Sequence, residues 1–130
     1  MLFRSDELIY RRSRFIVREI DRLHAACVDL QKGNIQALGK KMYATHDGLS
    51  KDYEVSCTEL DFLVDAVREN KNVLGARMMG GGFGGCTINI IANDFVEETI
   101  AEVGKKYETV IKLPFTAYVM SIEDGTSILK

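Results

Sequence analysis

The residues of this 130-residue chain best suited to chemistry are glycines gathered in one short stretch. Six of the 11 glycines fall between positions 75 and 85, and the last five of them surround one phenylalanine: Gly80, Gly81, Gly82, Phe83, Gly84 and Gly85. Glycine is costly inside helices and strands, so this density predicts backbone that bends sharply or closely approaches a ligand. Successive backbone N–H groups free of side chains form a concave nest that attracts anions such as phosphate. A glycine-rich hairpin without a ligand is the alternative.

The glycine stretch formally satisfies G-x-G-x-x-G, but its surroundings exclude three familiar nucleotide-binding loops. A dinucleotide-binding loop needs a helix directly after it, whereas residues 86–90 alternate as a strand does. A Walker A loop ends in Gly-Lys-Ser/Thr, whereas Cys86 follows Gly85 here. A protein-kinase loop needs a lysine on the next strand together with HRD and DFG motifs, and the sequence has none of these. The prediction that remains is a strand–loop–strand unit that binds phosphate or is a plain hairpin.

Four further side chains are candidates for a role near the loop. His46 and Asp47 are adjacent near a helix end and suggest acid–base chemistry, but no serine or cysteine partner at a diagnostic spacing supports a triad. The competing interpretation is that His46 hydrogen-bonds a loop. Arg77 lies in an alternating strand and either reaches phosphate or pairs with an acid such as Asp61. Cys86 is expected to pack its small side chain under the glycines.

Three helices are predicted ahead of the glycine stretch. Between about residues 6 and 31 the apolar positions follow helical spacing and form one stripe: Ile9, Ile16, Ile20, Leu23, Cys27 and Leu30. The arginines of this segment lie largely off the stripe, which predicts a solvated face. Gly33 ends the helix and Asn34 caps the next one. Ser56 to Glu59 reads S-x-x-E, a capping box that opens a third helix with one apolar face: Leu60, Leu63, Val64 and Val67.

The second half of the chain predicts strands and one helix. In order these are Val73–Met79, Cys86–Ile91, a helix opened by the D-x-x-E box Asp94–Glu97, the strand Phe115–Ile122, the turn Asp124–Gly125 and a return strand at Ser127–Leu129. Strands joined by hairpins, with helices laid on one side, make an α+β fold in which the helices pack on one face of an antiparallel sheet.

Composition excludes several classes of protein. Hydrophobic residues make up 46% and charged residues 28%, which excludes disorder. A net charge of -2 does not suit a protein whose main partner is nucleic acid. No apolar run is long enough for a membrane helix, and the N-terminal residues lack the apolar stretch of a signal peptide. The three cysteines form no CxxC pair, which favours reduced thiols and a cytoplasmic location.

Two long segments resemble galactokinases of the GHMP small-molecule kinase superfamily. Gly75–Cys86 is similar to the third conserved motif of that family. His46–Asp61 resembles the stretch that usually begins Ser-His and contains Tyr-Glu-Val-Ser-Cys and Glu-Leu-Asp. The basic run 11–14 and the tail 116–125 also fit, so the resemblance covers nearly the whole chain. One departure is Met79, which stands where the family commonly has threonine and removes a hydroxyl donor.

The resemblance implies that residues 1–130 form a galactokinase-like C-terminal domain. The family transfers the γ-phosphate of ATP, with Mg2+, to the C1 hydroxyl of galactose. An N-terminal sugar- and ATP-binding domain, absent from this sequence, carries the family's sugar motif, serine-rich phosphate loop and catalytic aspartate. No residue here is therefore assigned as catalytic. By the resemblance, Gly80–Gly85 line the phosphate end of the nucleotide site. The chain alone is therefore expected to be inactive.

Two other functions stay open at the level of sequence. One is a non-catalytic α+β module that binds a small ligand or a partner, and the other is a galactokinase-like sensor whose sugar and ATP binding controls a partner protein. The chain without its partner domain is expected to form a weak homodimer through the glycine-loop side, because an uncovered apolar patch tends to find a substitute. Neither nucleic acid nor a membrane is expected as a partner.

Overall fold

The computed structural model describes residues 2–125 and residue 128. Its elements in chain order are α1 (Leu2–Gln31), α2 (Ile35–Lys51), α3 (Thr58–Arg68), β1 (Val73–Met79), β2 (Cys86–Ile91), a 3-10 turn (Asn93–Phe95) and α4 (Val96–Val110). This order confirms the predicted α+β fold as far as α4. Within the described ranges, none of the helices has the length and hydropathy that crossing a membrane requires.

The two strands form an antiparallel hairpin that presents the glycine loop at its end. Met79 pairs with Cys86 at the loop, and Arg77 pairs with Ile88 further along. The ladder is irregular between Val73 and Gly75. The loop therefore joins the last residue of β1 directly to the first residue of β2.

The helices pack on the side of the sheet that carries Ala76 and Met78, which are 0% and 1% exposed. α2 and α3 contact β1, and α4 packs against α3. The core cluster is made of valines and one alanine: Val64, Val67, Val73, Ala76 and Val103. α2 touches the backbone of β1 where Gly39 meets Gly75, because a Cβ at either position would collide with the other element. Gly75 thus serves close packing of a helix on a strand, apart from the five glycines of the loop.

α1 packs through a different face from its apolar stripe. Phe15 is 3% exposed, and its ring occupies the space that a side chain at Gly48 of α2 would fill. The stripe lies about 60–140° around the helix from Phe15, since each residue turns the helix by about 100°. Its members are exposed, with Ile9 at 62% and Leu23 at 61%. The face toward α2 instead includes two half-buried arginines, Arg11 and Arg22, and Arg22 pairs with Glu19. Arg12, Arg14 and Arg18 are exposed, in agreement with the predicted solvated face.

The first strand of the predicted closing hairpin is not formed. Residues 115–122 are not a strand, and 116–122 are exposed. Only Phe115 is anchored: its ring centroid lies 5.9 Å from that of Tyr107. A strand needs a partner edge, and no described segment pairs with this one. Asp124–Gly125 accordingly forms no turn, and the return strand predicted at 127–129 lies, apart from Ile128, outside the described residues.

One of the three predicted helix caps is confirmed. Asn34 Oδ1 accepts a hydrogen bond from the Ala37 amide at 3.1 Å. The two capping boxes were wrong: α3 begins after Cys57 and α4 begins after Phe95, and neither residue makes a side-chain cap. Ser56 lies one residue before the N-cap position, which Cys57 occupies, and its hydroxyl donates to Asp61. At α4 the 3-10 turn takes the place of the capping residue.

Candidate phosphate-binding site

The loop of residues 80–85 adopts backbone angles that favour glycine at almost every position. The φ angles are +89° at Gly80, +88° at Gly82, +141° at Gly84 and +103° at Gly85. L-residues with a Cβ rarely adopt these angles. Phe83, at +60°, is the exception in the loop and must be held there by its surroundings. The glycine cluster is therefore explained first by the sharp reversals of the chain between the strands.

The connector between α2 and α3 holds the loop from behind. The Phe83 amide donates to the Val55 carbonyl oxygen at 2.8 Å. A Cβ at Gly82 would collide with the same oxygen, so only glycine allows this approach. Val55 is itself fixed, because its amide donates to Leu49 O at 3.0 Å and the preceding Glu54 has a φ of +61°. Nothing in the sequence pattern predicted this contact, because it joins segments 28 residues apart through the backbone alone.

The front of the loop is open and carries free backbone donors. A Cβ placed at Gly80, Gly81 or Gly84 would meet no atom within 4 Å. The amides of Gly81, Gly84 and Gly85 find no backbone acceptor within the described part of the chain. Donors that face open space in this way can bind an anion. Of the six predicted lining residues, Phe83 differs, since its amide is already bonded to Val55 and its ring is 75% exposed.

A buried polar network lies at the base of the loop. His46 is 2% exposed, and its Nδ1 accepts a hydrogen bond from the Met78 amide at 3.1 Å. Because Nδ1 accepts, the ring hydrogen is on Nε2, which lies 3.1 Å from Asp61 Oδ1. Asp61 also accepts from the hydroxyls of Ser50, at 2.9 Å, and Ser56, at 2.5 Å. Burial lowers the pKa of His46 despite the opposing effect of Asp61, so the ring is neutral near pH 7.

The structure decides between several interpretations of the other candidates. His46 hydrogen-bonds the strand that leads into the loop, which confirms the structural interpretation. Asp47 pairs with Arg68 at 2.7 Å and does not act with His46 on a common site. Asp61 is bonded to His46 and two serines on the helix side of β1, whereas alternation places Arg77 on the other side. The pairing of Arg77 with Asp61 was therefore wrong, and contact with phosphate stays a prediction.

Cys86 does not lie under the glycines as predicted. Its side chain is exposed, since it belongs to the face of β2 that points away from the helices. Ile88 lies on that face as well and is 44% exposed. On β2 the polar residues Thr87 and Asn89 alternate toward the helices and are half-buried. The alternation of β2 was predicted correctly, but its apolar face is the uncovered one.

Comparison with known protein families identifies the class to which this fold and loop belong. Residues 26–108 match the family described as GHMP kinases C terminal. The matched region contains α2, α3, both strands, the glycine loop and most of α4. The chain belongs to this family of kinase C-terminal domains.

Within this class, the chain is similar to galactokinases. It is 42% identical to the galactokinase of Fusobacterium nucleatum and 40% identical to that of Bacillus subtilis, each over 97% of this chain and 32% of the relative. The structure of Lactococcus lactis galactokinase complexed with galactose superposes with a TM-score of 0.80 at 40% identity, over 83% of this chain and 28% of that one. The mevalonate kinase of L. major in complex with R-mevalonate gives a TM-score of 0.64 at 32% identity, over 72% of this chain. The chain spans about a third of the length of the curated relatives it matches.

Proposed function

We propose that residues 1–130 are the C-terminal domain of a galactokinase, in which the loop 80–85 lines the phosphate end of an ATP site. The observation that carries the proposal is a loop with unbonded amides facing open space, fixed from behind at Val55. The similarity to galactokinases over 97% of the chain supports galactose as the acceptor and the C1 hydroxyl as the site of transfer.

Phosphoryl transfer suits such a loop because the reaction depends mainly on positioning and on stabilising charge on the phosphate oxygens. Backbone amides can do both without exchanging a proton. The loop would hold the transferred phosphate while other groups activate the sugar hydroxyl. Since Met79 has no hydroxyl, the loop contributes backbone donors alone at its first turn.

Mg2+ would enter the site bound to ATP as part of the substrate. Among residues 6–125 and 128, no group of three acidic, histidine or cysteine side chains is placed to hold a metal ion. The protein ligands of Mg2+, the sugar-binding residues and the catalytic carboxylate would then come from an N-terminal domain of the kind that the relatives have beyond the matched third. We propose the cytoplasm as the location, consistent with three free cysteines.

The test is a chimera in which this chain replaces the matching C-terminal third of the Lactococcus lactis galactokinase. We expect galactose-dependent formation of ADP and galactose 1-phosphate, and no turnover with glycerol as a control acceptor. A matched chimera carrying Gly81→Val, whose side chain enters the open space before the loop, should fold, as judged by circular dichroism, and lose turnover. A folded chimera that binds ATP and galactose without turnover would favour the sensor, and one that binds neither would favour the non-catalytic module.

A further inference from the structure

Two contacts hold the glycine loop in place, and they share one buried side-chain network. The first is at the end of β1, where the Met78 amide donates to His46 Nδ1 at 3.1 Å. The second is at the loop itself, where the Phe83 amide donates to Val55 O at 2.8 Å. Asp61 connects the two, since one of its oxygens faces both His46 Nε2 and the hydroxyl of Ser56, the residue after Val55.

The chemistry of this network requires a neutral histidine. Nδ1 must accept from the strand while Nε2–H donates to a carboxylate, and imidazole offers both functions on opposite sides of one rigid ring. A protonated ring would place a hydrogen on Nδ1 against the Met78 N–H. Burial favours the neutral form, and the charges that act on it come from Asp61, Asp47, Asp65 and Arg68.

We propose that His46 is a positioning residue for phosphoryl transfer: it sets the position of the glycine loop directly at Met78, and through Asp61 and Ser56 at Val55. His46 touches no substrate in this role. The effect on catalysis rests on the proposed function above, whereas the effect on the loop backbone does not. A displaced loop costs turnover because well-placed donors act only over the short range of a hydrogen bond.

The test compares His46→Asn with His46→Gln. The asparagine amide oxygen takes the place of Nδ1 and keeps an acceptor for Met78, whereas glutamine reaches the position of Nε2 and keeps only the contact to Asp61. Amide hydrogen exchange in the 130-residue chain is the first measurement. We expect exchange at Met78 to rise about tenfold or more in His46→Gln, which loses the acceptor, and to stay near the parent in His46→Asn. Exchange at Phe83 should rise in His46→Asn, which loses the contact to Asp61, and stay nearer the parent in His46→Gln. Exchange in α4 should be unchanged in both.

Ser56→Ala is the second variant and keeps the test decisive if His46→Gln does not fold. It removes one hydroxyl from Asp61 and should raise exchange at Phe83 while leaving Met78 protected. A residue that merely fills the core would give equal losses in both His46 variants and uniform exchange across the chain. That result, or an unchanged Phe83 in both His46→Asn and Ser56→Ala, would overturn the inference.

Kinetics in the galactokinase chimera are the second measurement. We expect kcat to fall about tenfold or more in both variants, since each breaks one of the two contacts that position the loop, with the KM for galactose unchanged in both. Parent-like kcat values in the two folded variants would refute the role in catalysis. A parent chimera without activity would instead refute the proposed function, and the exchange measurement alone would then decide whether His46 positions the loop.

Discussion

Three adjacent glycines of the loop experience different constraints, which makes alanine substitution a quantitative test of the structure. Gly81 has open space around its Cβ position and does not have a positive φ. Gly80 has the same open space but a φ of +89°. Gly82 combines a φ of +88° with a collision against Val55 O. Substitution of Gly81 therefore tests a position without constraint, and substitution of Gly80 tests backbone strain alone. Substitution of Gly82 tests strain together with loss of the contact behind the loop.

The expected free energies of unfolding follow from these constraints. Gly81→Ala should be neutral or stabilise by up to about 1 kcal/mol, because alanine restricts the unfolded chain. Gly80→Ala should destabilise by about 1–2 kcal/mol, the cost of a left-handed conformation for an L-residue. Gly82→Ala adds loss of the Phe83–Val55 hydrogen bond, about 0.5–1.5 kcal/mol, for a total of about 1.5–3.5 kcal/mol.

Urea unfolding followed by circular dichroism measures these differences, provided that the three variants keep the m-value of the parent. The decisive comparison is between Gly82→Ala and Gly80→Ala, which share the strain. If these two variants are equally stable, the contact at Val55 does not hold the loop. If Gly81→Ala is the most damaging of the three, the backbone described for the loop is wrong.

Three further predictions concern the whole chain. Since burial lowers the pKa of His46, the unfolded state takes up its proton first, near pH 6.5, and the free energy of unfolding should fall as the pH drops below that value. His46→Asn should reduce this pH dependence in urea unfolding at pH 5–8. An identical pH dependence in the variant would contradict the burial argument. The 130-residue chain alone should form no galactose 1-phosphate, and turnover by pure material would show that it holds a catalytic group not identified in its sequence. Light scattering should detect a weak homodimer at high protein concentration. Phe83→Ser should weaken the homodimer if the glycine-loop side is the interface. Weakening by Ile20→Lys would instead assign the interface to the exposed stripe of α1.

The order of elements and the identity of the loop were predictable from local pattern. Helical spacing in α3 and α4, the cap at Asn34 and the glycine cluster are all properties of neighbouring residues, and each was confirmed. The resemblance to galactokinases rested on two long segments and was confirmed by the similarity over 97% of the chain. Sequence periodicity was enough to predict these elements because the tertiary packing of each one agrees with its local conformational preference.

The predictions that were wrong depended on which surfaces meet. The stripe of α1 has helical spacing, but spacing does not say that α2 packs on the adjacent face around Phe15. Residues 115–122 have the composition of a strand, yet a strand exists only beside a partner edge. Ser56 fits a capping box, but α3 begins one residue later, after Cys57. The contact at Val55 is made by a backbone carbonyl oxygen, which every residue has, so no side-chain pattern could reveal this contact.

The central claim is that the front of the loop faces the phosphates of ATP, and Gly81→Val in the galactokinase chimera tests it most directly. The substitution places a side chain in the open space before the loop without a positive φ and without touching Val55. We predict that kcat/KM for ATP falls about 100-fold or more while the circular dichroism spectrum and the urea midpoint match the parent chimera. Near-parent kinetics in the folded variant would contradict the claim and show that the loop is a structural hairpin.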